Sequence, residues 1–245
     1  MALRIAFDLD GVLADMESEL ARQAKSLFGD RAATRAPIAA SAPPQEAGSD
    51  ESSTEGSPAT NDIAPAVALD LTPRQLSRLW RHVETIEGFW ETLKEIEPGT
   101  IARLATIAAS RRWEVIFLTK RPASAGATAQ RQSQRWLEAN GFKLPSVYVV
   151  QGSRGRIASA LALDFVVDDR PENCLDVIAE SHARPILIWR DDVRLLPAAA
   201  QRLGVGVVRS VAECLDVLSR ADEPAKPGLV GRVMRLLGFK EPASV

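Results

Sequence analysis

Six short apolar runs, separated mostly by helix-like stretches, constrain the fold of this chain more than any other feature. They fall at residues 3–9, 114–119, 146–150, 164–168, 185–189 and 205–208. Each is about the length of a strand, and runs such as Phe165-Val166-Val167 are apolar throughout, as expected of strands buried on both faces. Helical patterns at 125–140, closed by Gly141, and at 154–163 lie between them. Parallel strands need long crossovers, usually helical, so this alternation predicts an α/β fold: a Rossmann-like, doubly wound parallel sheet.

One long interruption separates the first strand from the second. It opens with a helical stretch at 14–28. Residues 31–66 then turn rich in Ala, Pro, Ser, Thr, Glu and Gly with no aromatic residue, and read as disordered. Thr72-Pro73 marks a helix start, with Leu76, Leu79, Trp80, Val83 and Ile86 at helical spacing behind it. Phe89, Trp90, Leu93 and Ile96 continue the apolar series, and a further helix at 100–111 returns the chain to the sheet. The expected organisation is a core of 1–13 and 97–220, a small helical cap inserted at 14–96, and a tail at 221–245. In that tail Leu229, Val230, Val233, Met234, Leu236 and Leu237 share an amphipathic face. It suits packing on the domain better than contact with a membrane surface or a partner.

Composition narrows the function. A net charge of -2 gives no basic excess for nucleic acid. Two cysteines, Cys174 and Cys214, are too few for a disulfide framework, and His82 and His182 do not form a zinc spacing. No run reaches the length of a membrane span, and no signal peptide is recognisable, so a cytoplasmic setting is the expectation.

Four polar clusters sit at strand ends, and in an open parallel sheet ligands bind outside the carboxyl ends of the strands. The first is Asp8-Leu9-Asp10-Gly11. A carboxylate can attack phosphorus, and a second one two residues on can act as acid and then base. Gly11 permits a tight turn beside a bound phosphate. The second is Thr119-Lys120-Arg121-Pro122, where a hydroxyl and backbone N–H groups suit phosphate oxygens. Lys120 and Arg121 read either as solvated charges or as contacts to a substrate. The third, Gly152-Ser153-Arg154-Gly155-Arg156, offers a cation, Arg154 or Arg156, to balance nucleophile and phosphate. The fourth is Asp168-Asp169-Arg170-Pro171-Glu172-Asn173. Adjacent acids at a buried strand end call for compensation, which a hard cation such as magnesium supplies through oxygen ligands. Asp169 reads either as a helix N-cap or as a residue that orients the metal's ligands.

In this order the four clusters resemble the haloacid dehalogenase-like (HAD) phosphohydrolase superfamily. Phe7–Asp15 (FDLDGVLAD), Phe89-Trp90, Thr119–Pro122 (TKRP) and Asp168–Asn173 (DDRPEN) look closest to its 5'(3')-deoxyribonucleotidase, or type C 5'-nucleotidase, branch. The resemblance covers 1–20 and about 89–190. It implies a magnesium-dependent phosphatase with Asp8 as nucleophile and Asp10 as acid/base. It further implies that the Asp8 side chain, the Asp10 carbonyl and Asp168 hold the metal, with Asp169 behind them. Thr119, Lys120, Arg154 and Arg156 then bind phosphate, and Phe89, Trp90 and Arg121 contact a small phosphorylated substrate such as a nucleotide. The family's third cluster normally carries lysine, and here arginine stands in its place. The alternatives are the same fold without turnover, as a phosphate-binding or protein-interaction module, and a phosphatase for sugar phosphates or phosphoproteins.

Overall fold

The computed structural model describes residues 2–29 and 69–222. The expected disordered stretch and the amphipathic tail face both lie outside the described residues. Six strands form one parallel sheet: β1 (Arg4–Asp8), β2 (Glu114–Thr119), β3 (Ser146–Val149), β4 (Phe165–Asp168), β5 (Arg184–Ile188) and β6 (Gly206–Val208). Their spatial order is β3-β2-β1-β4-β5-β6. The chain therefore winds outward from β1 through β2 to β3, then crosses back and winds the other way. That reversal puts a topological switch point between β1 and β4, where open α/β sheets form their crevice.

Alternation along the strands supplies both faces of the core. Ile5 and Phe7 of β1 join Phe117, Val167 and Ile186 in one apolar cluster. Ala6, between them in sequence, points the other way and packs with Leu118, Val166, Ala158 and Val177. The last two lie on α5 (Arg154–Ala160) and α6 (Pro171–Glu180). Helices on both faces make the sheet doubly wound, as its continuous apolar strands require.

The stretch between β1 and β2 holds α1 (Met16–Phe28), α2 (Pro73–Thr85), a 3-10 turn at Phe89–Glu91 and α3 (Thr100–Arg111). Asp15 caps α1 by accepting from the Ser18 N–H. Thr72 and Gln75 cap α2 reciprocally, with Pro73 at its first position. Leu20 and Ala24 of α1 and Leu79 and Val83 of α2 are buried in the same cluster as Ile5 and Phe7. The insertion thus shares a continuous apolar core with the sheet. No helix among the described residues is long and apolar enough to cross a membrane.

Beyond β3 come α5 and α6, then α7 (Ala198–Arg202) and α8 (Val211–Ala221), while α4 (Ala129–Ala139) links β2 to β3. Glu97, the first residue after the insertion, ties the chain there to Arg190 and α8. Its carboxylate accepts from the Val211 and Ala212 N–H groups at the start of α8 and from Arg190 Nη2 at 3.0 Å. Burial pushes the Glu97 carboxyl up, but these donors outweigh it and hold the group below its ordinary 4.5. A depressed carboxyl stabilises the fold above its ordinary value and loses that contribution as pH falls through the folded value. Glu97→Gln is therefore expected to cost about 1–2 kcal/mol at pH 7 and progressively less below pH 4.5, as read by urea unfolding across pH. A deficit that stays constant with pH rules out the carboxylate as its source.

Candidate active site

The register sets the site. Phe7 lies opposite Val167 across the β1–β4 pair, so Asp8 and Asp168, the next residue on each strand, emerge side by side at the carboxyl edge. Both are buried. One guanidinium reaches both: Arg154 Nη2 lies 2.5 Å from Asp8 Oδ1, and Arg154 Nε lies 3.8 Å from Asp168 Oδ2. Arg154 comes from the first turn of α5, whose N-cap Ser153 accepts from the Arg156 N–H. Gly155 lets α5 come this close. A Cβ there would overlap the Asp176 carbonyl of α6 and lie 2.8 Å from Glu180 Cβ. Asn173 donates to both Asp168 oxygens and the Arg170 N–H to Oδ1, so the Asp168 carboxylate is fixed in place.

Asp10 lies two residues beyond Asp8, and its carboxylate accepts from Arg121 and Thr119. Arg121 Nε contacts both oxygens at 3.1 and 2.9 Å, Nη2 contacts Oδ1 at 2.7 Å, and the Thr119 hydroxyl donates to Oδ2 at 3.1 Å. Gly11 follows with φ +83°, and a Cβ at this position would collide with the Asp169 carboxylate. Glycine is thus required twice over, by the left-handed backbone and by the close approach. Arg190, at the end of β5, clamps this turn by donating to the Gly11 and Val12 carbonyls at 2.5 and 3.2 Å.

Part of this cluster opens onto a cavity of about 630 Å³, which the buried Asp168 does not line. Asp8, Asp10, Lys120, Arg154 and Asp169 line it, as do Trp189 and Arg190, which carry no role in the sequence reading. Other expected site residues lie elsewhere. Thr119 is fully buried against Asp10 and does not line the cavity. Arg156 points to solvent and pairs with Glu180 at 2.8 Å. Phe89 and Trp90 are fully buried, packed edge to face with centroids 4.9 Å apart, and Arg121 is buried behind Asp10. The N-cap of α6 is Arg170, not Asp169.

Acids outnumber their cations here. Among the described residues, Asp8, Asp10, Asp168 and Asp169 cluster around two buried arginines, Arg121 and Arg154, with the exposed Arg170 acting on Asp168 and Asp169 from outside. Burial raises the Asp8 carboxyl well above the ordinary range. Arg154 opposes this, and the neighbouring Asp168, Asp169 and Asp10 charges add to it. Asp168 is likewise raised by burial against the pull of Arg154 and Asn173. Asp169 is pushed up to about 8 by burial and then by Asp168. Clustered carboxylates that each disfavour the others' charge, and that offer only oxygen donors, fit a hard divalent cation. Among the described residues no three side chains of metal-binding type form a cage. Magnesium suits a two-carboxylate site of this kind, because it retains several waters and takes backbone or phosphate oxygens as well.

The fold is similar to that of a solved structure. A HAD family hydrolase from Deinococcus radiodurans R1, solved with bound phosphate and sodium, superposes with a TM-score of 0.51 at 18% identity, over 91% of this chain and 99% of that one. A hydrolase from Pseudomonas syringae gives 0.48 at 16%, over 91% and 100%. A putative beta-phosphoglucomutase from Thermotoga maritima gives 0.46 at 18%, over 89% and 98%. No protein-family model and no curated protein matches the sequence. The first of these likenesses is one of fold: the doubly wound α/β sheet of this chain is similar to that of the HAD family hydrolase.

Proposed function

We propose that this chain is a magnesium-dependent phosphomonoesterase of the HAD superfamily that works through an aspartyl-phosphate on Asp8. One observation carries the reading: Asp8 and Asp168 converge at the switch point on a single buried guanidinium, and Asp8 and Asp10 open together onto one cavity. The core in this reading is 1–13 and 97–220, and 14–96 acts as its cap. Asp8 and Asp168 side chains, with the Asp10 carbonyl, would hold the cation. When bound, it offsets charge on the carboxylates and on the transferring phosphoryl group.

The chain's own groups do the rest. An Asp8 carboxylate oxygen attacks phosphorus in line. Arg154 orients that carboxylate through Nη2, and its Nη1, buried without a partner, is available for a phosphoryl oxygen. Asp10 protonates the departing oxygen, then takes a proton from the water that hydrolyses the acyl phosphate. Lys120 meets the substrate at the cavity wall. Asp169 braces the turn at Gly11.

A nucleotide or another small phosphorylated metabolite is the proposed substrate. The TKRP and DDRPEN segments support the nucleotidase branch. With Phe89 and Trp90 in the core, a base would meet Trp189, Met16 and Ile96 instead, all of which line the cavity. A non-catalytic phosphate-binding module is the second reading, favoured by the contact of Arg154 with one oxygen of the Asp8 carboxylate.

Hydrolysis of p-nitrophenyl phosphate separates the two. Turnover is expected with magnesium, to fall at least about 100-fold in EDTA, and to return when magnesium is restored. Absence of turnover under all three conditions, and on the panel below, overturns the phosphomonoesterase reading. A panel of phosphomonoesters that includes nucleotides and sugar phosphates then identifies the substrate.

A further inference from the structure

Arg121 is the largest fully buried charged side chain among the described residues, and the chemistry above does not use it. Its surroundings leave it little freedom. Nη1 donates to Ser133 Oγ at 2.8 Å, while Nε and Nη2 both reach Asp10. Two indoles flank the guanidinium, with ring centroids 4.9 Å away at Trp90 and 5.8 Å away at Trp136. Each indole is itself anchored: Trp90 Nε1 donates to the Pro122 carbonyl and Trp136 Nε1 to the Leu93 carbonyl. Ser133 in turn donates to the Ala129 carbonyl in α4. The chain of contacts runs from α4 and the Phe89–Glu91 turn, through Arg121, to one carboxylate at the cavity wall.

Such a buried pair is weak evidence of a stabilising role, because desolvation offsets most of its attraction. What the fork provides is geometry. A planar guanidinium contacting both carboxylate oxygens holds one side-chain rotamer, which a lysine ammonium cannot do. The Asp10 side chain remains 8% exposed, and Asp10 lines the cavity.

We infer that Arg121 is a positioning residue: it holds the Asp10 carboxyl where it can hand a proton to the leaving-group oxygen. This rests on the phosphomonoesterase reading. In that step the Asp8 oxygen–phosphorus bond forms and the phosphorus–oxygen bond to the leaving group breaks. The Asp10 proton passes to the departing oxygen, which leaves as the alcohol. In the second step Asp10 regains a proton from water, the water oxygen bonds to phosphorus, and Asp8 departs as its carboxylate with release of inorganic phosphate. A misaligned Asp10 slows the first step in proportion to how much the leaving oxygen needs that proton.

Leaving-group dependence therefore tests the inference. p-Nitrophenyl phosphate and phenyl phosphate are similar in size, but nitrophenolate departs readily unprotonated and phenolate does not. In Arg121→Lys, with saturating magnesium, kcat/KM, which reports the first step and not the acyl-phosphate hydrolysis that both substrates share, is expected to fall about 30-fold or more for phenyl phosphate and about threefold or less for p-nitrophenyl phosphate. Equal losses on the two substrates overturn the inference, since general damage to the fold does not distinguish leaving groups. Should Arg121→Lys fail to fold by circular dichroism, Ser133→Ala carries the test by removing the Nη1 anchor. A shift of about threefold in the ratio of the two rates supports the inference, and a wild-type ratio overturns it. Absence of wild-type turnover on both substrates is a different outcome: it removes the phosphomonoesterase reading itself, and this inference with it.

Discussion

Asp8→Asn is expected to lower turnover of p-nitrophenyl phosphate by at least about four orders of magnitude, because an amide oxygen cannot form the acyl phosphate. The fold is expected to survive. Asp8 is a buried carboxylate whose neighbours Asp168, Asp169 and Asp10 disfavour its charge, so neutralising it relieves repulsion. Its contact with Arg154 remains available to a side-chain carbonyl of the same shape. The variant should therefore unfold at or above the wild-type temperature while losing its chemistry, the stability–activity trade-off seen where function requires strained electrostatics. Turnover within about tenfold of wild type removes Asp8 as the nucleophile. A large drop in thermal midpoint, at equal activity loss, makes the activity result uninformative and calls for Asp8→Glu, which keeps the charge but displaces the attacking oxygen.

Arg154→Met carries the second large effect, and it works in the opposite direction on stability. Methionine keeps much of the aliphatic stem and removes the cation shared by Asp8 and Asp168. Deleting one partner of a buried ion pair costs about 3–5 kcal/mol, since the other partner stays buried and uncompensated. For a chain of this size that is a fall in midpoint on the order of 10 °C. Phosphatase activity is expected to fall about 100- to 1,000-fold, as when one preorganised donor is removed from a charged transition state. Magnesium should raise the midpoint of Arg154→Met by more than it raises that of the wild type, because the cation then replaces the charge that the guanidinium supplied to the two carboxylates. An equal magnesium response in both proteins argues against a cation seated on Asp8 and Asp168. Arg156→Met, at an exposed arginine paired with Glu180, is the matched control, with near-wild-type activity expected.

The contrast between these two arginines shows where the sequence stops being informative. Arg154 and Arg156 are equivalent as letters in one loop, and either can supply a cation. On a helix, residues two apart point roughly 200° away from each other, so only one can face the sheet. Which one does so depends on where Ser153 caps α5 and on Gly155 meeting α6, and neither fact is visible before the helices are packed. The same holds for Phe89, Trp90 and Arg121. Two aromatics near the end of an insertion fit a ligand platform and a core equally well, and an arginine after a strand fits a solvated charge. Packing resolves all three together: the arginine is buried on Asp10 with Trp90 as one of its walls. Thr119 follows the same logic, its hydroxyl taken by Asp10 inside the sheet edge.

Arg190, Trp189 and Gly155 carried weak signals. Arg190 and Trp189 sit just past the fifth apolar run, the same kind of strand-end position that made the four clusters candidates, and this was the one signal that could have flagged them. Gly155 lies between two arginines within a helical pattern, where a glycine marks close approach of another element.

What the sequence determines by itself is the part governed by local periodicity. The six apolar runs correspond to the six strands, each to within about a residue at either end, and α3 spans Thr100–Arg111 as read. Thr72-Pro73 opens α2, and the acids of the first and fourth clusters stand at strand ends. Strand period, helix period and capping chemistry act over a few residues, so a single chain states them openly. The tertiary structure alone decides the rest: that β1 and β4 are neighbours, that their register sets Asp8 beside Asp168, and that Arg154 is the cation between them. Partnerships among charges more than 100 residues apart depend on strand order, register and helix phase. These follow from how the whole core packs, and no local pattern encodes them.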